Sequence, residues 1–129
     1  MNDMIIHAEK GYPEEVCGAM MSYKEDPDRV VFSQRLNNSF DGPKHDRFLI
    51  DPIELYRTEK ESIKRGLMVI GIYHSHPDST AHPSKFDLDH SFPLYKYLIV
   101  SVVKGRFSHA KCWFTDINRT AFREEPVVV

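Results

Sequence analysis

Tyr73-His74-Ser75-His76-Pro77-Asp78-Ser79-Thr80-Ala81-His82-Pro83-Ser84-Lys85-Phe86-Asp87 follows directly on the apolar run Leu67-Met68-Val69-Ile70-Gly71-Ile72. A short, unbroken apolar run reads as a buried strand. Side chains alternate faces along a strand, so His74 and His76 point the same way at its end. Two imidazoles on one face, at the mouth of a core strand, make half of a metal site. Pro77 cannot donate to a ladder and stops the strand. The chain then loops to Ser84-Lys85-Phe86-Asp87, where Asp87 can swing back as a third ligand. Two His and one carboxylate leave a fourth tetrahedral position for water, the layout of a catalytic rather than a structural zinc.

Outward from that stretch, Asp51-Pro52 opens a helix with Asp as N-cap, Pro at the first helical position and Glu54 in the first turn. Ile53, Tyr56, Ile63 and Leu67 give it an apolar face, and Gly66 closes it. Arg47 to Ile50 reads as a short strand, and the polar segment Asn37 to His45, with Gly42-Pro43, as a loop. Val16 to Tyr23 and Arg29 to Leu36 read as a hairpin about the turn at Lys24 to Asp28. Residues 2 to 10 read as a helix with Met4, Ile5 and Ala8 on one side, ended by Gly11. On the other flank, Ser84 to His90 reads as a helix and Tyr95 to Val103 as an apolar strand. Gly105 turns the chain into a return strand, Phe107 to Phe114. A turn at Asp116-Ile117-Asn118 leads to a last edge strand at Thr120 to Phe122, and Glu124 to Val129 reads as a tail, loose or packed on the body. Strands and helices intermix, which predicts an α/β fold: a mixed central sheet flanked by helices. The 129 residues fit a single domain, 1–129, with a core of its own.

Hydrophobic residues at 41% and charged residues at 28% are those of an ordinary globular chain. Seventeen basic against nineteen acidic residues give a formal charge of −2 with no Lys/Arg run, so nucleic acid is a poor partner. No apolar stretch approaches the ~18 residues of a membrane span. Met1-Asn2-Asp3-Met4 has no basic region leading into an apolar one, as a signal peptide would. Cys17 and Cys112 sit in separate apolar runs, where a free thiol is the usual state, and they fit a reducing cytoplasm.

The pattern His-x-His-Pro, six residues, Ser-x-x-Asp resembles the signature of the JAMM metalloproteases, also called MPN+ domains, of the small single-domain bacterial type. Tyr12-Pro13-Glu14-Glu15-Val16-Cys17-Gly18 resembles their Pro-x-Glu-x-Cys-Gly element, and Asn37 through Leu55, with Phe48-Leu49-Ile50-Asp51-Pro52, resembles their middle. The likeness spans residues 5 to 115. It implies the family's cytidine-deaminase-like α-β-α sandwich and zinc-dependent hydrolysis of a peptide or isopeptide bond. By the resemblance, His74, His76 and Asp87 hold Zn²⁺, Glu15 acts as base and then acid, and Ser84 stabilises the oxyanion. The implied substrate is the C-terminal tail of a ubiquitin-like or sulfur-carrier protein. The loop Asn37 to His45 is placed beside the site, where it is expected to contact that tail. Relatives of this kind begin with a strand ahead of the first helix, which this chain does not display.

Plainer readings exist for each residue. Ser84 and Asp87 also fit a capping box at a helix start. Only the motif's register separates Glu15 from Glu14; if Glu15 faces the site, Val16 faces the core and Cys17 shares Glu15's face. Asp89 is a weaker candidate, as partner to a ligating His. His82 reads as exposed or beside the ligands, and His7, His45, His90 and His109 as surface or structural. Two other functions fit the chain: a metal-bound interaction module without catalysis, and a metal hydrolase acting on small amides or nucleotides.

Overall fold

The computed structural model describes residues 1–127. Strands β1 (Cys17–Tyr23), β2 (Phe32–Leu36), β3 (Leu67–Pro77), β4 (Lys96–Val103), β5 (Arg106–Thr115) and β6 (Phe122–Glu125) form one sheet in the order β2-β1-β3-β4-β5-β6. β3 and β4 are parallel and every other pair is antiparallel. Helix α1 (Asn2–Gly11) covers one face through Met4 and Ala8, which pack with Met20, Tyr73 and Leu98. Helix α2 (Pro52–Lys64) covers the other through Leu55, in a core with Cys17, Val69, Ile72 and Tyr97. The short helix α3 (Lys85–Asp89) lies in the crossover between the parallel strands. The architecture is the expected mixed α/β sheet between helices. No helix among the described residues is long and apolar enough to cross a membrane.

A β-bulge sets which face the histidines occupy. Met20 pairs with Gly71 but Met21 pairs with Val69, so Ile70 is the extra residue. Before the bulge Leu67 and Val69 face the α2 side; after it Ile72 does, while Ile70 and Tyr73 face α1. The bulge thus turns the even positions, His74 and His76, toward the α2 face. A continuous apolar run carries no sign of it.

Four expectations need correction. The apolar face read on α2 points outward: Ile53 is 60%, Tyr56 56% and Ile63 70% exposed. The buried face is Leu55, Thr58 and Ser62. Its two hydroxyls donate within the helix, Thr58 Oγ1 to the Glu54 carbonyl (2.9 Å) and Ser62 Oγ to that of Glu59 (2.7 Å), so polar side chains are buried at little cost. Arg47 to Ile50 is not a strand. The Arg47 carbonyl and the Leu49 N–H and carbonyl bond Asn38 and Ser39 of the preceding loop rather than a strand of the sheet. The last strand starts at Phe122 rather than Thr120, because Asp116 binds both the N–H and the hydroxyl of Thr120 and extends the turn. Glu124 and Glu125 accordingly belong to β6, paired with Trp113 and Cys112, and not to a tail. Residues 128 and 129 of that tail lie outside the described residues.

Candidate metal centre

The antiparallel register of β1 and β3 builds the first half of the site. Cys17 pairs with His74, and the pairing continues past the strand start: the Ser75 N–H donates to the Val16 carbonyl (3.0 Å) and the Val16 N–H to Ser75 Oγ (2.9 Å). Glu15 is thereby set beside His76. Of the two glutamates, Glu15 is buried and Glu14 exposed. Cys17 faces the α2 side with Glu15's cluster, and Val16 packs on the α1 side. The Glu15 main chain is fixed on its other flank too. Its N–H donates to the Lys44 carbonyl (2.6 Å), and its carbonyl accepts from Asn38 Nδ2 (3.0 Å). The loop Asn37 to His45 therefore supports Glu15 directly.

The second half comes from α3. Ser84 is the N-cap: its Oγ accepts from the Asp87 N–H, and Asp87 Oδ2 accepts from the Ser84 N–H, both 3.0 Å. This capping box is present in full, and it aims the carboxylate at the histidines. Asp87 Oδ2 is 3.2 Å from His76 Nε2 and 4.0 Å from His74 Nε2, and Glu15 Oε1 is 3.7 Å from His74 Nδ1. One donor atom from each of Glu15, His74, His76 and Asp87 falls within 4.8 Å of the others, and all four residues are buried. His74 is further fixed by stacking on Phe48 at 4.3 Å. His76 Nδ1 lies 2.9 Å from the Thr80 carbonyl, which only an N–H can satisfy. Nδ1 thus carries a proton, and Nε2 is the nitrogen offered to the cluster.

The cluster's polar atoms are poorly served by the protein alone. Glu15 Oε1, both ring nitrogens of His74 and Asp87 Oδ1 are buried without a hydrogen-bond partner. Orphaned buried groups of this kind are costly unless an ion or water satisfies them. The donor set, imidazole nitrogen and carboxylate oxygen, is that of zinc, so the residues fit the metal. Burial alone would push the Asp87 carboxyl up, but the charge of His74, the His76 hydrogen bond and the Ser84 N–H hold it well below the usual carboxylate range. Burial alone would lower His76, and the Asp87 hydrogen bond with the Glu15 and Asp87 charges raises it instead. Burial, with Glu54 and Glu15 nearby, pushes the Cys17 thiol up to about 12, so it stays neutral beside the cluster.

A cleft of about 400 Å³ opens over the Glu15 and His76 edge, lined also by His45, Arg47, His82, Ser84 and Phe86. A second, of about 440 Å³, runs along the other side of α3 with Asp87 on its wall among Phe48, Ile50, Phe92 and Tyr97. Ser84 lies at the rim, exposed, with its hydroxyl proton free of the capping bond. His82 is exposed and tilts against Trp113 at 5.6 Å. Asp89 does not join the cluster; it pairs with Lys85 at 3.8 Å. His7 hydrogen-bonds Tyr73 on the α1 face, and His109 accepts from the Ala81 N–H. Sequence reading missed Asn38, whose one amide binds Glu15, Arg47, Phe40 and Leu49. Its signal was weak: an Asn in a polar loop, a residue type that bonds local backbone.

A mixed sheet that gathers Glu, two His and Asp at the end of its central strand defines an α/β protein with a buried site able to hold a metal ion. The chain belongs to the prokaryotic homologs of the JAB domain, whose family model matches residues 1–116. It is similar to the desampylase of Haloferax volcanii, 32% identical over 133 residues that cover 99% of this chain and 90% of that protein. Its structure resembles the solution structure of a protein from Desulfitobacterium hafniense, with TM-score 0.82, 30% identity and coverage of 99% and 86%. A solution structure from Salinibacter ruber gives TM-score 0.74 at 31% identity, covering 98% and 85%. The crystal structure of a JAB1/MPN domain protein from Archaeoglobus fulgidus shares the fold, with TM-score 0.61 at 20% identity and coverage of 98% and 89%.

Proposed function

We propose that this protein is a zinc metallopeptidase of JAMM type that hydrolyses a peptide or isopeptide bond at the C-terminal tail of a ubiquitin-like or sulfur-carrier protein, acting as a single domain in the cytoplasm. The observation that carries it is the set of orphaned donor atoms on Glu15, His74 and Asp87, closed into one buried cluster with His76. Family membership and the relative named desampylase support hydrolysis of a bond to a ubiquitin-like tail. The free Cys17 and Cys112 support a reducing compartment.

In this reading His74, His76 and Asp87 hold the metal. When bound, Zn²⁺ supplies Lewis acidity, lowering the pKa of a water from 15.7 to about 7 and polarising a carbonyl. The Thr80 carbonyl fixes the His76 tautomer, and the capping box fixes Asp87. Glu15 takes the proton of the attacking water, whose oxygen forms the new C–O bond. It then delivers that proton to the departing nitrogen as the C–N bond breaks. Burial keeps this exchange away from bulk water. The Ser84 hydroxyl donates a hydrogen bond to the oxyanion of the substrate's tetrahedral intermediate.

The test uses zinc-loaded protein, a ubiquitin-like carrier with a short extension beyond its tail, and mass spectrometry of the products. Cleavage within the tail is expected, and Glu15→Gln should retain one equivalent of zinc and cleave nothing. Full zinc occupancy without turnover of any tailed carrier would favour the non-catalytic module. Turnover of small amides alone would favour the third reading.

A further inference from the structure

The cleft above Glu15 and His76 carries one arginine, Arg47, with no ion-pair partner among the described residues. Lys85 pairs with Asp89 at 3.8 Å, and Asp46 lies 3.8 Å from the His45 ring. Arg47 makes no ion pair among the described residues, and it is exposed. Its guanidinium is not loose, however. It lies 4.8 Å from the centre of the Phe86 ring and 5.9 Å from that of Phe40, and the two rings meet edge to face at 5.7 Å. Phe86 immediately precedes Asp87 on α3. The Arg47 carbonyl accepts from Asn38 Nδ2 at 3.0 Å, and the same nitrogen holds the Glu15 carbonyl at 3.0 Å. Arg47 is therefore braced to both walls of the site, one wall carrying Glu15 and the other Asp87. A guanidinium resting on aromatic faces keeps its in-plane N–H fork free and loses little freedom on binding. That fork matches a carboxylate in bidentate geometry.

We infer that Arg47 is a specificity-determining residue, selecting substrates that carry a carboxylate next to the scissile amide. The inference rests on the hydrolytic reading of the same site. The carboxylate can be the free C-terminal group of a departing amino acid or an acidic side chain beside the bond. Arg47 reads the chemistry they share. A dianion such as phosphate fits less well, since Glu15 and Asp46 line the same cleft.

The experiment measures binding by fluorescence anisotropy on zinc-loaded Glu15→Gln protein, so that nothing is cleaved. Labelled tail peptides extend one residue past the bond and end in a free carboxylate, in a neutral amide, or in an amide with an acidic side chain. A carboxylate form should bind about tenfold tighter than the neutral amide, with the preference shrinking as salt is raised. Adding Arg47→Ala should abolish the preference, and Arg47→Lys should restore only part of it. Tighter binding of the free-carboxylate peptide assigns a departing C-terminal amino acid; tighter binding of the side-chain form assigns an acidic neighbour. Equal binding of acid and amide by the Arg47 protein overturns the inference, as does a preference that survives Arg47→Ala. Wild-type turnover separates this from the function itself. Cleavage of all peptides alike removes the role of Arg47 and leaves the hydrolase. Carboxylate-selective binding without any cleavage keeps Arg47 as a carboxylate receptor and removes the hydrolase.

Discussion

Asn38→Asp is the change that most sharply tests how the loop supports the site. The Asn38 amide makes four hydrogen bonds: Nδ2 to the Glu15 and Arg47 carbonyls, both 3.0 Å, and Oδ1 from the N–H groups of Phe40 (3.1 Å) and Leu49 (3.2 Å). Asp has the same shape and keeps both acceptor roles. It loses both donors and sets a carboxylate oxygen against two carbonyls. Two net bonds at ~1 kcal/mol each, plus ~1 kcal/mol for facing acceptors in a half-buried place, give a loss of about 2–3 kcal/mol. That is roughly a quarter of the stability of an ordinary domain. His74, His76 and Asp87 are held by β3 and α3 and do not touch Asn38, so zinc should stay at one equivalent. Glu15 keeps its bond to Lys44 but loses the one that sets its other side. A displacement near 1 Å at a catalytic group costs about 10²-fold in rate. Guanidinium melts, zinc by mass spectrometry and kcat on a tail peptide read the three effects separately. An unchanged melt, or zinc lost in step with activity, would refute the reasoning.

Four further outcomes are expected. Changing His74, His76 or Asp87 to Ala should drop bound zinc well below one equivalent; full occupancy in all three would remove them as ligands. Ser84→Gly should cost only a few tenths of a kcal/mol as a cap, yet lower kcat about 10²–10³-fold as a lost oxyanion donor; an unchanged kcat would leave Ser84 a cap alone. Leu55→Ala should cost about 2–5 kcal/mol in a denaturant melt, whereas Ile63→Ala, on the exposed side of α2, should stay within about 0.5 kcal/mol. His7 is lowered to about 4 by burial and by Arg35, below its ordinary 6.5. The unfolded chain then takes the proton first, so stability is complete above about pH 6.5 and falls between 6.5 and 4, by about 1 kcal/mol once solvent exposure is allowed for; His7→Gln should flatten that part of the pH–stability curve.

Most of the site was legible because its residues lie in two short stretches whose geometry is local. His74 and His76 follow from strand alternation, and Ser84 with Asp87 from helix capping. What was hidden had physical reasons. The bulge at Ile70 falls in a run apolar on both faces, where a one-residue slip leaves no trace in the pattern. The buried face of α2 is polar in type, because Thr58 and Ser62 satisfy themselves on their own helix, so a reading by hydrophobicity chose the opposite face. Arg47 to Ile50 has a strand's composition but bonds the Asn38 side chain and Ser39 of the loop before it, which no periodicity records. Arg47 carries no signal in the sequence, because its place depends on Phe40 and Phe86, far apart in the chain and brought together only by the fold.

The placing of Glu15 beside the two histidines has a deeper cause than the proximity of two strands. Gly18 pairs with Tyr73 in the β1–β3 register. A Cβ at Gly18 would run into the Tyr73 ring, so only glycine lets that ring lie flat across β1. Tyr73 is itself held from the far side by His7, whose Nδ1 is 2.7 Å from the phenol oxygen. Gly18 stands three residues after Glu15, and Tyr73 three before His76, and antiparallel strands run in opposite directions. Locking the first pair therefore locks the second. A slip of one residue would seat a side chain under the Tyr73 ring and turn every β1 side chain to the other face. The Glu-x-Cys-Gly and Tyr-His-x-His stretches are thus two halves of one device. The glycine and tyrosine set the register on the α1 face, and the glutamate and histidines use it on the other.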